Sequence, residues 1–290
     1  MRAWSENPAT GLSPEMTTDE CRLLRELIYR HSGLSFSADL AYLLRSRLGP
    51  RLSHLGLADF RAYYRYLRYD PDRAAEVETA IEVLTTNETY LYREPQQLQS
   101  FSEELLPDLA RQNAGRRKLR IWSAGCSTGE EVYTVAALVA RSGLFVGWDV
   151  EVFGSDIVPR VIEVARAGTY GPRAFRTPEA EALRPWFVCA GERWRAGDRL
   201  RAVVRFGCHN LLDGRPADLI GAADVVFCRN VLIYFDLAAR RQAMRTFAGK
   251  LRGGGYLLLG HAESLLNATS EFEPVHLLHD LVYRKPPPPS

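Results

Sequence analysis

The chain has 290 residues, 46% hydrophobic and 25% charged, a length for about two folded units and a composition unlike disordered, collagen-like or disulfide-stapled proteins. A formal charge of +2 is too mild for a nucleic-acid binder, which needs a concentrated basic face. Five dispersed cysteines with no Cys-x-x-Cys pair argue against a disulfide framework and a zinc site, and for reduced thiols in a cytoplasmic protein.

In chain order, residues 1–16 are polar and Pro-containing, lack the apolar core of a secretory signal, and are expected to be a disordered tail. From 17 to 84 apolar residues recur at helical spacing, as in Leu23, Leu24, Leu27 and Ile28, then Leu40, Leu43, Leu44 and Leu48. Thr18, with Asp19 and Glu20 behind it, supplies an N-cap and an acidic first turn. The segment predicts a small all-α domain in which Arg45, Arg47 and Arg51 are ordinarily read as a solvated face.

From Leu119 onward, short β-branched or aromatic runs alternate with helical segments, the pattern of an α/β fold with a parallel sheet. Strands are predicted near Leu119–Ala124, Val150–Ser155, Val203–Phe206, Asp224–Cys228 and Tyr256–Leu259. The apolar run Val132–Ala140 is far short of the ~20 residues that span a bilayer, so no membrane insertion is expected. Residues 172–202, with three prolines, clustered aromatics and a Gly197–Asp198 turn, read as an inserted hairpin-like β-subdomain. Gly253, Gly254 and Gly255 read as a turn ending the helix over Leu237–Leu251. The run VHLLHDLVYRK predicts a final antiparallel hairpin around His279 and Asp280, so His276 and His279 form no metal pair. Residues 286–290, four prolines and a serine, are expected to be disordered.

Chemistry gathers where these strands end. Gly125 and Gly129 lie between a strand and a helix starting near Gly129, a turn that lets backbone approach a ligand and aims helix N–H groups at it, although it is not the dinucleotide pattern GxGxxG. Asp156 ends the second strand, where an acidic residue can take ribose hydroxyls, or else cap the helix starting near Val158. Asn210 and Leu211 follow the third strand, and Arg229, Asn230 and Tyr234 the fourth. Four consecutive strands thus deliver polar groups to one sheet edge, a convergence that packing explains poorly. Cys126, near a helix N-terminus, could be an activated thiol, but a small packing role is the better reading.

The segments TTNETYLYRE (Thr85–Glu94), WSAGCSTGEEVYT, FGSDI, CHNLLD and RNVLIYFD, in this order, resemble the CheR family of chemotaxis receptor methyltransferases over nearly the whole chain. The resemblance implies a Rossmann-like S-adenosylmethionine-dependent methyltransferase domain over 85–285 with the inserted β-subdomain, preceded by a receptor-docking helical domain over 17–84. It implies a cofactor shell of Asn87, Thr89, Arg93, Glu130, Glu131, Asp156, Asn210, Leu211, Arg229 and Asn230, with Asp156 on the ribose and Glu130 or Glu131, undecided between them, facing the methionine ammonium. Arg93 and Tyr234 match positions beside the transferred methyl and are the catalytic pair. The implied reaction converts receptor glutamates to methyl esters and leaves S-adenosylhomocysteine, without metal or general base. Implied partners are the cytoplasmic helices of a chemoreceptor and, in some relatives, a receptor C-terminal peptide held by the β-subdomain. Val132 stands where the family has proline and Tyr92 where it has phenylalanine; neither removes a polar group. The rival readings are a methyltransferase of other substrates, weakened by RNVLIY where a base-modifying enzyme would carry an Asn/Asp-Pro-Pro-aromatic turn, a cofactor-sensing or adaptor module without receptor methylation, and a nicotinamide oxidoreductase.

Overall fold

The computed structural model describes residues 14–36, 41–85, 88–213 and 221–287; most of both expected tails, together with Leu40 and Asn87, lies outside the described residues. Two compact units result, over 1–86 and 87–290.

The first unit holds helices α1 (Thr18–Ser32), α2 (Ala41–Leu55), α3 (Phe60–Tyr69) and α4 (Arg73–Leu84). The N-cap of α1 is Thr17 rather than Thr18: the Glu20 amide donates to the Thr17 hydroxyl, and the Glu20 carboxylate accepts the Thr17 amide at 2.8 Å, closing a capping box. Leu24, Ile28, Leu44, Leu48, Phe60 and Leu67 are buried between the helices. Two of the arginines expected on a solvated face are engaged within the unit. Arg51 forms a two-pronged pair with buried Glu76, which also accepts from the Tyr63 hydroxyl, and Arg47 donates to the carbonyls of Val83 and Thr85 at the end of α4. A fork of donors suits both tasks, satisfying a buried carboxylate and orphan helix-end carbonyls.

The second unit opens with α5 (Pro95–Ser100), which continues through a π-helical turn at Phe101–Leu105 into α6 (Leu106–Gln112). Pro107 cannot donate to the preceding turn, and the widened turn before it accommodates its ring. There follow β1 (Lys118–Ala124), α7 (Glu130–Ser142), β2 (Asp149–Asp156), α8 (Pro159–Ala167), β3 (Thr169–Tyr170), α9 (Pro178–Glu181), β4 (Phe187–Ala190), β5 (Arg193–Ala196), α10 (Asp198–Val203), β6 (Val204–Cys208), β7 (Ala223–Cys228), α11 (Leu237–Lys250), β8 (Leu251–Leu259), β9 (Glu273–His276) and β10 (Leu281–Arg284). Seven of the strands form one sheet in the order β6-β2-β1-β7-β8-β10-β9, parallel from β6 to β8, with β10 antiparallel to both neighbours.

Side chains of β1 alternate between two cores, as the period of two requires. Leu119 and Ile121 pack with Val132, Tyr133 and Val135 of α7; Trp122 and Ala124 pack with Ala243, Met244 and Phe247 of α11. Trp122 meets Phe247 edge-on at 5.3 Å and donates its indole N–H to Ser155 at 2.9 Å, so this buried aromatic leaves no polar atom unpaired.

Two expectations shift. The glycines 253–255 lie inside β8, which begins at Leu251, and where Ala223 pairs with Leu251 and Val225 with Tyr256 they form a bulge rather than a helix-ending turn. The inserted β-subdomain starts earlier than residue 172, since β3 joins β5 and β4 in a three-stranded sheet; its hairpin turns at Gly191 (φ 69°), while Gly197 caps α10. No helix among the described residues is long and apolar enough to cross a membrane.

Candidate active site

β6, β2, β1 and β7 lie side by side, and the direction of winding reverses between β1 and β7, the switch point where open α/β sheets bind ligands beyond their carboxyl ends. The turn after β1 is tight. Gly125 takes φ 80° and its amide and that of Cys126 both donate to the Ser155 carbonyl at 2.8 Å. A Cβ at Gly125 would collide with the Val231 side chain, so only glycine lets the turn and the loop after β7 approach this closely. Ser127 follows at φ 48° with its amide on Asp156 Oδ2 at 2.9 Å, and its hydroxyl is buried without a partner among the described residues. Burial pushes the Cys126 thiol up, reinforced by the carboxylates of Asp156 and Glu131, so Cys126 packs and is not an activated nucleophile.

Asp156 does not cap α8, whose N-cap is Val158 without a side-chain bond. Its second oxygen accepts the Val158 amide at 3.1 Å. Burial raises its pKa, opposed by the backbone donors of Val158, Ser127 and Ile157. Each oxygen keeps a lone pair for a further donor.

At the start of α7, Glu130 is buried, accepts from the Thr128 hydroxyl at 2.7 Å, and has its pKa raised by that burial. Glu131 accepts from Ser123 at 2.7 Å and pairs with Arg229 at 3.1 Å. The Arg229 side chain is 3% exposed; it also pairs with Glu94 at 3.2 Å and donates to the Arg93 carbonyl. Arg229 thus joins the end of β7, the first turn of α7 and the segment 88–94.

That segment is strained where it is held. Tyr92 (φ 61°) and Glu94 (φ 59°) are both left-handed, a conformation uncommon outside glycine and costing of order 1–2 kcal/mol per residue, and Arg93 lies between them. The Tyr92 amide donates to Thr134 at 3.1 Å, the Leu91 amide to the Ala174 carbonyl at 3.0 Å, and Arg176 pairs with Glu88 while lying 3.7 Å from the centre of the Tyr90 ring. Half-buried Thr89 sits within this tethered stretch, and the half-buried Arg93 guanidinium donates to the Glu88 carbonyl at 2.6 Å.

After β7, Asn230 is also left-handed (φ 60°) and its side-chain amide faces Glu94 at 3.4 Å. A single helical turn, Leu232–Tyr234, carries half-buried Tyr234 on the edge of the α11 core. Beyond β6, the Asn210 side chain accepts from the Leu212 amide at 3.0 Å and Leu211 is buried in that same core; the neighbouring His209 amide bonds the Asp156 carbonyl at 2.9 Å.

Glu130, Glu131, Asp156, Asn210, Leu211, Arg229, Asn230 and Tyr234 therefore lie at or follow the carboxyl ends of β1, β2, β6 and β7, Thr89 and Arg93 lie on the segment before α5, Asn87 is undescribed, and Arg93, Glu131, Arg229 and Asn230 share one bonded network. Glu94, Ser123, Ser127 and Glu263 went unread. Glu94 closes the motif TTNETYLYRE, and Glu263 follows the fifth parallel strand; extending the strand-end argument by one strand would have reached it.

Against known proteins, a family model for the CheR methyltransferase SAM binding domain matches residues 87–280, and one for the CheR methyltransferase all-alpha domain matches residues 19–85. Chemotaxis protein methyltransferase 2 of Vibrio cholerae is 36% identical over 276 residues, 93% of either chain. Chemotaxis protein methyltransferase 2 of Pseudomonas aeruginosa is 36% identical, covering 87% of this chain and 89% of its own. Among solved structures, the N-methyltransferase NodS of Bradyrhizobium japonicum in complex with S-adenosyl-L-homocysteine aligns with 65% of this chain and 88% of its own, at 16% identity and a TM-score of 0.36.

Proposed function

The chain belongs to the CheR methyltransferase family and takes S-adenosylmethionine as its cofactor, and from that premise we propose that it methylates glutamate side chains of chemoreceptors, forming methyl esters. The observation that supports this reading is the clamp on the Arg93 backbone: two left-handed neighbours and the Arg229 bond to its carbonyl tie the segment that carries this cation to the end of β7. Such a cation suits an anionic nucleophile.

The residues present fit the cofactor. The Gly125 turn has no side chain in the way, and the orphaned Ser127 hydroxyl beside it needs a polar partner. Asp156 would accept the ribose hydroxyls through its remaining lone pairs. Glu130 or Glu131 would face the ammonium, Asn210 and Leu211 the adenosine, and Asn87, Thr89, Arg229 and Asn230 would complete the shell. When bound, S-adenosylmethionine supplies an electrophilic methyl group.

A glutamate with a pKa near 4.3 is already ionised at neutral pH, so the protein has no proton to remove. Its task is orientation: one carboxylate oxygen about 3–3.5 Å from the methyl and in line with the sulfur. Arg93 would hold the other oxygen, and the Tyr234 hydroxyl would donate near the reacting centre. The helical unit would dock on the receptor's helices, and β4, an edge strand with Val188 55% exposed, would accept a receptor C-terminal peptide by strand addition.

The test is incubation with methyl-labelled S-adenosylmethionine and receptor cytoplasmic domains, followed by mild alkali. Label released as methanol is the expected outcome. Alkali-stable label would mean N-methylation, and cofactor binding without any label transfer would favour an adaptor.

A further inference from the structure

Glu263 lies in the loop after β8, outside every residue given a role above, yet its carboxylate is spent on the loop after β7. Its Oε2 accepts the amides of Asn230 (2.9 Å) and Gly260 (2.7 Å), and its Oε1 accepts that of Ile233 (3.2 Å). Both amides of this loop precede Tyr234, that of Asn230 ahead of the single turn Leu232–Tyr234 and that of Ile233 within it. Two carbonyls of the same stretch are taken by α11: Arg240 Nε donates to those of Leu232 (3.1 Å) and Phe235 (3.0 Å). Gly260 makes the approach possible, because a Cβ there would stand 2.9 Å from both the Asn230 side chain and the Glu263 carboxylate.

A carboxylate is suited to this work, since it accepts several backbone donors at once and favours the positive end of a short helical turn. Burial pushes the Glu263 carboxyl up while the bonded amides pull it down. The loop it holds includes Asn230 in a left-handed conformation, which persists only where the surroundings over-determine it.

We propose that Glu263 is a positioning residue for methyl transfer: by gripping the backbone ahead of and within the Tyr234 turn from the end of β8, it sets the height and direction of the Tyr234 hydroxyl at the reacting centre. This rests on the reading of Tyr234 given above. The side chain of Asn230 is held separately by Glu94, so loss of the grip shifts Tyr234 more than it shifts the cofactor.

The experiment compares Glu263→Gln, Glu263→Asp, Tyr234→Phe and the double variant Glu263→Gln/Tyr234→Phe in the full chain, measuring receptor methylation and S-adenosylhomocysteine affinity. Gln keeps the shape but turns an N–H₂ toward a backbone donor; Asp keeps the charge on a shorter arm and serves if the Gln variant does not fold. Glu263→Gln is expected to lower kcat by about tenfold or more with less than about a threefold change in affinity, Asp to recover part of the rate, and the double variant to be little slower than the slower single one, because a misplaced hydroxyl has little left to lose. Loss of rate and affinity together, or effects of the two changes that simply multiply, would overturn the positioning role. Tyr234→Phe at the wild-type rate would overturn the reading of the reaction centre instead; a slow Tyr234→Phe beside an unimpaired, folded Glu263 variant would overturn only the role of Glu263.

Discussion

Replacing Arg229 with methionine removes the one cation from a cluster with two carboxylates. The Arg229 side chain is 3% exposed, and those of Glu94 and Glu131 are 13% and 17% exposed, so neither stranded charge is well hydrated. Deleting one partner of a buried pair costs about 3–5 kcal/mol, and the Arg93 carbonyl loses a donor worth about another 1 kcal/mol. Methionine fills much of the vacated volume, which keeps any cavity contribution small. In a unit of roughly 200 residues each kcal/mol moves Tm by about 2–4 °C, so the variant is expected to melt roughly 8–24 °C lower in a thermal denaturation followed by circular dichroism. Arg229→Lys is expected to keep most of the deficit, because an ammonium cannot span Glu94, Glu131 and the Arg93 carbonyl at once. Adding Glu94→Gln and Glu131→Gln to Arg229→Met removes the stranded charges and is expected to restore much of the loss. The reasoning is refuted if Arg229→Met melts within about 2 °C of the parent, or if the triple variant is no more stable than the single one.

Arg93→Ala is expected to cut kcat far more than cofactor affinity and Arg93→Lys to rescue it poorly, since a point charge does not fix a carboxylate's plane; equal methylation rates in steady-state assays would move the reaction centre elsewhere. Asp156→Ala is expected to weaken S-adenosylmethionine and S-adenosylhomocysteine alike by about 1.5–3 kcal/mol in calorimetry. Because burial raises the Asp156 pKa above its ordinary 3.8, affinity is full above the raised value and is lost as pH falls through it. Protonation of the same group favours the folded state, its stabilising share being complete at low pH and lost as pH rises. Binding should therefore fail on acidification without this group contributing to unfolding, and a binding profile flat down to pH 3.8 would contradict it. Gly125→Ala is expected to destabilise the fold and to be only partly repaired by Val231→Ala, which removes the clash with Val231 but not the φ of 80°; full repair would show that backbone strain is negligible there.

The helical unit, the five parallel strands and the polar residues at their ends were legible because helical spacing, strand runs and turn residues are patterns within a dozen positions, and a parallel sheet turns such strand ends into one edge. Reading Gly253–Gly255 as a turn failed for a related reason: local glycine chemistry says turn, while pairing of β8 with β7 makes the same residues a bulge. Arg47 and Arg51 looked like a solvated face until Val83, Thr85 and Glu76, at least 25 positions away, claimed them. The linkage of Glu94 and Glu131 through Arg229 spans 135 and 98 positions, and the grip of Glu263 on Asn230 spans 33. No periodicity encodes such partners, because a buried charge is satisfied by whatever the packed elements bring within about 3 Å of it, and that proximity exists only once the sheet has formed.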